Sequence, residues 1–328
     1  MSDSQKTAAG ELPPQASGPV GIPVRHSHPA PRPFRALLLY VSALFLFSCL
    51  DTTTKYLAMH YNVPLVMAIR FIINLVLMVA ILGPTYGRQF IPTQRTGLVL
   101  FRAGGLTLAS LTYGLALQRM PVAETTAINF LAPMLVVLMA GPALHERIGL
   151  LGWSAAVTGF VGVLIIVRPG AGLEAIGVFW VLCAGMANSV YQLLSRMLAS
   201  TERTMALLFY TVLVGALCFG AGLPWYLTGD PPTVVDVMLF VAIGVLSGVS
   251  HLLFTAAYRY APASLLAPAT YLQMLLAGLL GWLAFGHVPD ALSILGICVV
   301  AASGVMITFK ARASRAPSRV TAKRPSGS

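Results

Sequence analysis

Hydrophobic residues fill this chain in ten long runs. They cover residues 36–58, 64–84, 97–118, 121–143, 150–167, 175–197, 204–225, 235–257, 262–285 and 290–309. Each is close to the roughly 20 residues that an α-helix needs to cross the hydrocarbon core of a bilayer. Polar residues gather between the runs, and some connections are very short, such as QRMP (118–121) and YRYAP (258–262). Connections of that length force neighbouring helices to lie antiparallel. The pattern predicts an all-α membrane protein with ten transmembrane helices, spans one to ten.

The two ends depart from the pattern. Residues 1–33 are rich in Pro, Gly and Ser and lack an apolar core, so they read as a disordered tail. They carry no short apolar stretch followed by a small-residue cleavage site and do not read as a cleavable signal. Residues 311–328 read as a basic tail. Between the tails the chain divides into 34–168 and 174–310, five spans each.

The two halves repeat one plan. ALQRMPVAETTAINFLAPMLVVL (116–138) falls on AYRYAPASLLAPATYLQMLLAGL (257–279), with Ala116 on Ala257 and Pro121 on Pro262. In each half the fourth span opens with Pro after a short turn, where the missing N–H costs nothing. Five spans is an odd number, so the second half enters the membrane from the opposite side. The expectation is two inverted five-helix repeats, an architecture that places a substrate site near the midplane between the halves.

Composition agrees with the runs. Of 328 residues 57% are hydrophobic and 9% charged, against about 25% charged in soluble domains; mean hydropathy is +0.81. Cys49, Cys183, Cys218 and Cys298 all fall in apolar segments, too scattered for a metal site. Charge then sets orientation. With the N-terminus in the cytoplasm, 16 of the 21 Lys and Arg lie on the cytoplasmic side, only Arg119 and Arg168 lie opposite, and Lys55, Arg70 and Arg102 lie inside spans. Both termini are therefore expected in the cytoplasm, with the chain in the inner (plasma) membrane. The net charge of +11 is accounted for by this topology and by anionic lipid, without nucleic acid.

The chemistry sits in the few polar groups inside the runs. Each such charge costs about 2.5–3.5 kcal/mol at a helix centre on insertion scales. Asp51 and Lys55, spaced i, i+4 in span one, share a helix face with Ser48 and Thr52. They are either a structural ion pair or a substrate or proton site. Arg70 in span two lies at a similar depth to Asp51, about 9 and 10 Å from the outer ends at 1.5 Å per residue, so the two can meet. Arg102, near the cytoplasmic end of span three, is expected to snorkel. Glu124, one turn into span four, is expected to complement the helix dipole. Other candidates are Asn129 in span four, Asn188, Tyr191 and Gln192 in span six, His251 in span eight, and Tyr271 and Gln273 in span nine. Pro133 and Pro268 interrupt spans four and nine. Apart from Asp290 at the very start of span ten, spans five and ten carry only Ser, Thr and Gly among polar residues, which suits a scaffold.

Several segments together resemble the drug/metabolite transporter superfamily, specifically its EamA type. They are MAIRFIINLVL (67–77), YGLALQRMPVAETTAINFLAPML (113–135), HERIGLLGWSAAVTGFVGVLIIVRP (145–169) and TAAYRYAPASLLAPATYLQML (255–275). The span-one motif LDTTTKYL is similar to a subgroup that includes carriers of S-adenosylmethionine and other metabolites. The chain departs from the pattern at His287, where the first half has Glu146, and at Thr211, which matches Arg70. The resemblance implies a ten-span secondary transporter of a small polar or amphipathic metabolite: amino-acid-like, S-adenosylmethionine-like, a vitamin or a metallophore. Proton coupling, exchange and facilitated diffusion all fit, and no cofactor or metal is implied.

The alternatives are an intramembrane enzyme and a channel or structural membrane protein. None of Lys6, Lys55, Lys310 and Lys323 follows the glycines of a Walker A loop. HERIG (145–149) lacks the second His of a zinc-protease helix. Ser250 and His251 are neighbours on a helix and point about 100° apart, so they cannot form a catalytic pair. An inverted repeat also favours alternating access over a symmetric pore.

Overall fold

The structure is a computed structural model. It describes residues 33–87, 91, 93–144, 150–168, 173–198, 201–226, 231–258, 260–261 and 266–313. The N-terminal tail before Pro33, the basic tail beyond Ala313, and Glu146 lie outside the described residues. All regular structure among the described residues is helical. The helices are α1 (Pro33–His60), α2 (Val63–Tyr86), α3 (Thr96–Arg119), α4 (Val122–Asn129), α5 (Ala132–Leu144), α6 (Leu150–Val167), α7 (Ala175–Leu198), α8 (Thr204–Gly220), α9 (Leu223–Tyr226), α10 (Val234–Ala257), α11 (Leu272–Phe285) and α12 (Ala291–Ala313). A 3₁₀ segment, Ala267–Tyr271, precedes α11. Five helices (α1, α2, α3, α7 and α10) are long and apolar enough to cross a membrane, and five shorter apolar segments accompany them.

Three runs differ from single helices: the seventh is α8 and the short α9, parted at residues 221–222, and proline explains the other two. The fourth run is α4 and α5, broken between Asn129 and Ala132. Pro133 has no N–H to give to Asn129, and its ring would collide with that carbonyl, so the helix ends there. In its described part, the ninth run has the tighter 3₁₀ turn around Pro268 before α11 continues. At α10 the signal is local: Thr233 and Asp236 form a capping box that satisfies two backbone N–H groups.

Helices from the two halves interleave. α1 lies beside α10 and α3 beside α7; α2 packs on α8 and α10, α3 on α8, and α6 on α12. The ends are tied in two sets. Where α1 finishes, Tyr61 donates to Asp236 at 2.9 Å, Arg119 pairs with Glu174, and Arg168 meets Asp290 at 2.7 Å. Where α1 begins, Glu202 accepts from the backbone N–H groups of Gln94 and Arg95, and Arg35 lies 4.6 Å over the ring of Tyr260. Large apolar side chains such as Phe101, Trp153, Phe160 and Leu283 face outward. An apolar surface on that scale suits lipid, not water.

The α6–α12 contact depends on missing side chains. A Cβ at Gly162 would meet the backbone N of Val300 at 2.9 Å, and one at Gly296 would meet the carbonyl O of Gly162 at 2.8 Å. These are backbone atoms and cannot swing aside, so the two helices touch only because glycine sits at the crossing. Gly296→Leu is expected to destabilise the protein by at least about 1–3 kcal/mol, the cost of overpacking. Thermal denaturation in detergent reads the effect, and a melt equal to the parent's would refute the close crossing.

Candidate functional site

A cavity of about 80 Å³ opens among α2, α3, α7, α8 and α10. Its walls are mostly apolar: Phe71, Leu77, Leu106, Leu208 and Leu252 are among them. Its polar groups are Arg70, Asn74, Tyr191, Thr211, Ser247 and His251. Arg70 Nε donates to Ser247 Oγ at 3.3 Å, and Asn74 Nδ2 donates to the same oxygen at 3.2 Å. Arg70 and Asn74 are four residues apart on α2, and Ser247 and His251 four apart on α10, so each pair presents one helix face. His251 packs edge-on against Phe47 of α1, ring centroids 5.0 Å apart.

Asp51 sits beside this cavity, half-buried on α1. Tyr113 donates to its Oδ2 at 3.3 Å and also meets the Thr126 hydroxyl at 3.1 Å. The side chain of Gln273 hydrogen-bonds it as well. The Arg70 guanidinium acts on Asp51 through space, and on Tyr113 and His251. The two charges do not close a direct ion pair, since none within 4 Å joins them among the described residues.

Lys55 is elsewhere. Its Nζ donates to the carbonyls of Leu117 at 2.9 Å and Met120 at 2.8 Å, the last turn of α3. A cation there satisfies orphan carbonyls and opposes the negative end of the helix dipole. The structural ion pair between Asp51 and Lys55, one of the two sequence readings, is therefore absent: one turn of α1 carries the two groups to different neighbours.

Arg102 also departs from expectation. Instead of snorkelling it is 4% exposed. Nε donates to Ser195 Oγ, Nη1 to the Leu207 carbonyl and the Thr211 hydroxyl, and Nη2 to the Tyr191 hydroxyl. Its guanidinium lies 4.4 Å from the Tyr191 ring centroid. It thereby orients Tyr191, a cavity wall, from behind.

The remaining candidates scatter. Arg70, Tyr191 and His251 share the cavity, and Asp51 and Gln273 form the acid network next to it. Thr52 turns back on its own helix, donating to the Ser48 carbonyl at 2.9 Å. Asn188 and Gln192 are half-buried on α7 and outside the cavity lining. Asn129 Oδ1 is buried at the α4 break, with no hydrogen-bond partner among the described residues. Tyr271 rests on Gly304 of α12 and on the Phe130 ring, 5.6 Å between centroids. Asn74, Ser247 and Tyr113 are site groups beyond the sequence candidates. The i, i+4 spacing from Arg70 and His251 was the available signal for the first two; Tyr113 had none, because its role depends on the α1–α3 crossing.

Comparison with known proteins places this arrangement. The EamA-like transporter family profile matches the chain twice, over residues 34–168 and 175–309. A riboflavin transporter of Vibrio cholerae is 25% identical over 280 residues, 84% of this chain and 93% of the relative. An S-adenosylmethionine uptake transporter of Rickettsia bellii is 24% identical over 277 residues, 82% and 92%. The pseudopaline exporter CntI of Pseudomonas aeruginosa is 26% identical over 283 residues, 84% and 96%. One solved crystal structure aligns with a TM-score of 0.59 at 21% identity, covering 86% of this chain and 99% of its own, which speaks to fold alone. With both matches together spanning most of its length, this multi-pass membrane protein belongs to the EamA-like transporter family.

Proposed function

We propose that the chain is an alternating-access carrier of a small zwitterionic or carboxylate-bearing metabolite. The observation that carries this is the cavity walled by α2 and α3 from the first matched half and α7, α8 and α10 from the second. Arg70 on its wall faces Asp51 without touching it. A substrate carboxylate fits the guanidinium and an amine fits the acid, each group replacing water lost on entering an apolar pocket. Tyr191 and His251 offer ring faces for a flat portion. Among the relatives' named substrates, S-adenosylmethionine carries the amine and carboxylate that this pair of charges suits, and riboflavin offers the flat ring.

We read the five long and five shorter apolar segments as ten membrane crossings in two inverted halves, a plan that suits a carrier. Exchanging the halves turns the α1–α10 contact into α7–α3 and the α2–α10 contact into α8–α3, and all four occur. The α2–α8 and α6–α12 contacts map onto themselves. Rocking one half against the other exposes the cavity to either side in turn. No hydrolytic step enters this cycle.

Uptake by proteoliposomes of riboflavin, S-adenosylmethionine and an opine-type metallophore, with and without a pH gradient, tests the function. Failure of all three, together with amino acids, would refute it. Orientation has its own test. Both termini are expected in the cytoplasm, because Lys and Arg crowd that side 16 to 2. A reporter active only outside the cytoplasm, fused after Ser328, is expected to stay silent; strong activity from an intact fusion reverses the topology.

A further inference from the structure

Arg102 stands behind the cavity, not on its wall, and yet it decides what two of the wall hydroxyls can do. A guanidinium only donates. Nη2 of Arg102 gives a hydrogen bond to the Tyr191 hydroxyl oxygen at 2.9 Å, and Nη1 gives one to the Thr211 oxygen at 2.7 Å. Its Nε holds Ser195 at 2.6 Å, and Ser195 passes its own proton to the Tyr191 carbonyl at 2.6 Å. The same cation therefore fixes both the side chain of Tyr191 and the turn of α7 that carries it.

A hydroxyl has one proton to give. Thr211 spends its proton on the Leu207 carbonyl at 2.6 Å, so it has none for a ligand. Tyr191 has its oxygen occupied by Arg102, and no group among the described residues accepts its proton. Ser247 reaches the same state by another route. Its oxygen receives from Arg70 Nε at 3.3 Å and from Asn74 Nδ2 at 3.2 Å, and no group among the described residues accepts its proton. Asn74 turns its own acceptor oxygen onto Gly248 of α10, where a Cβ would lie 3.3 Å from it. Asp51 is not one of the wall residues, and neutral His251 adds a single acceptor nitrogen. Donors outnumber acceptors on this wall, and an unspent proton in apolar surroundings calls for an acceptor from outside the protein.

We propose that Arg102 is a positioning residue that commits the Tyr191 hydroxyl to donate into the cavity, where Tyr191, Ser247 and Arg70 together hold a carboxylate and reject the neutral amide of the same shape. The proposal rests on the carrier reading for calling the cavity a substrate site. Its selectivity follows from the hydrogen-bond directions alone. A carboxylate offers only lone pairs, and each of the three donors can meet one. A carboxamide offers one oxygen and an NH₂ group, and the NH₂ would face donors that cannot turn into acceptors. Tyr191 cannot reverse its role while Arg102 occupies its oxygen, and Ser247 cannot while Arg70 and Asn74 occupy its own. Arg102 touches no ligand, and its influence on recognition passes through the Tyr191 hydroxyl.

Equilibrium binding to the purified full-length protein tests this without any transport. The probes are benzoate and benzamide, two flat compounds of matched shape that differ in the group the site is expected to read. The wild type is expected to bind benzoate at least about tenfold more tightly than benzamide, since charge-assisted hydrogen bonds are the stronger ones. Tyr191→Phe deletes one hydroxyl and should fold. Its preference for benzoate is expected to fall about fivefold, with benzamide affinity within about twofold of the parent's. Arg102→Lys keeps the charge without the fork and is expected to lower the preference by a similar factor. Added to Tyr191→Phe, it should lower the preference no further, because the two changes act through one hydroxyl. An Arg102 that served stability alone would weaken both probes alike and leave their ratio unchanged. Should Arg102→Lys not fold, Ser195→Ala frees Arg102 Nε and is read the same way, as a lower ratio that disappears on the Tyr191→Phe background. Equal affinities in the wild type, no benzoate binding, or an unchanged ratio in Tyr191→Phe would overturn the proposal. Effects of Arg102 and Tyr191 on the ratio that add in full would overturn the positioning role. The uptake panel judges the carrier reading separately: a protein that prefers benzoate but moves no panel compound keeps the carboxylate site and loses the carrier.

Discussion

Arg70→Gln is expected to lower transport about 100-fold, with the protein still folded. Among the described residues, Arg70 is the one Lys, Arg, Asp or Glu on the wall of the cavity between α2, α3, α7, α8 and α10. Its Nε is spent on Ser247, and among the described residues no carboxylate pairs with the rest of the guanidinium fork. A bidentate pairing with a substrate carboxylate has the geometry of the stronger charge-assisted hydrogen bonds. Losing it leaves that carboxylate buried against an amide, and about 100-fold corresponds to about 2.8 kcal/mol at 1.4 kcal/mol per decade. Arg70→Lys is the informative companion. It keeps the charge but not the fork, so it should recover only part of the rate. The split between KM and maximal rate locates the contact: a guanidinium that only binds raises KM, and one that strengthens as the carrier reorients also lowers the maximal rate. Near-parental transport by Arg70→Gln would remove Arg70 from the site.

The helices were legible in the sequence because bilayer thickness imposes a length that few other pressures imitate. Even the breaks at Pro133 and Pro268 follow from a single missing N–H. The site was legible only in part. Ionisable residues in apolar runs are conspicuous by type, so Asp51, Arg70 and His251 stood out. Their partners were not, because partners depend on which helices cross. Lys55 shares a face with Asp51 on α1, yet α3 ends beside it and offers two bare carbonyls that an isolated helix does not reveal. Arg102 sits close enough to a helix end to snorkel. Four acceptors from α7 and α8 make burial the better arrangement, and those acceptors come from residues about 90 to 110 positions away. Glu124 carries the same lesson: a helix-dipole role predicted the acid's position but not the His287 imidazole that reaches it across 163 positions.

Asp51→Asn is expected to reduce transport by about 30- to 100-fold, and its partners decide how that loss is interpreted. The substitution preserves shape, and an amide oxygen still accepts from Tyr113. What disappears is the charge facing Arg70. Removing one member of a buried charge pair typically costs 3–5 kcal/mol, because the other is left uncompensated; the gap between these two groups makes the stability loss here smaller than that. Three further variants separate a structural role from a functional one. Asp51→Asn with Arg70→Gln removes both charges and should regain the thermal stability lost in the singles, without regaining transport. Asp51→Asn with Lys55→Met should show no rescue in either measurement, since Lys55 binds the end of α3 and the two effects add independently. Lys55→Met alone should cost stability through the freed Leu117 and Met120 carbonyls. If the doubly neutral Asp51 and Arg70 variant transports at the parental rate, both charges are structural and the substrate is held by something else. If rescue appears only in the Lys55 pair, the neighbours seen for Lys55 at the end of α3 are not those that operate in the membrane.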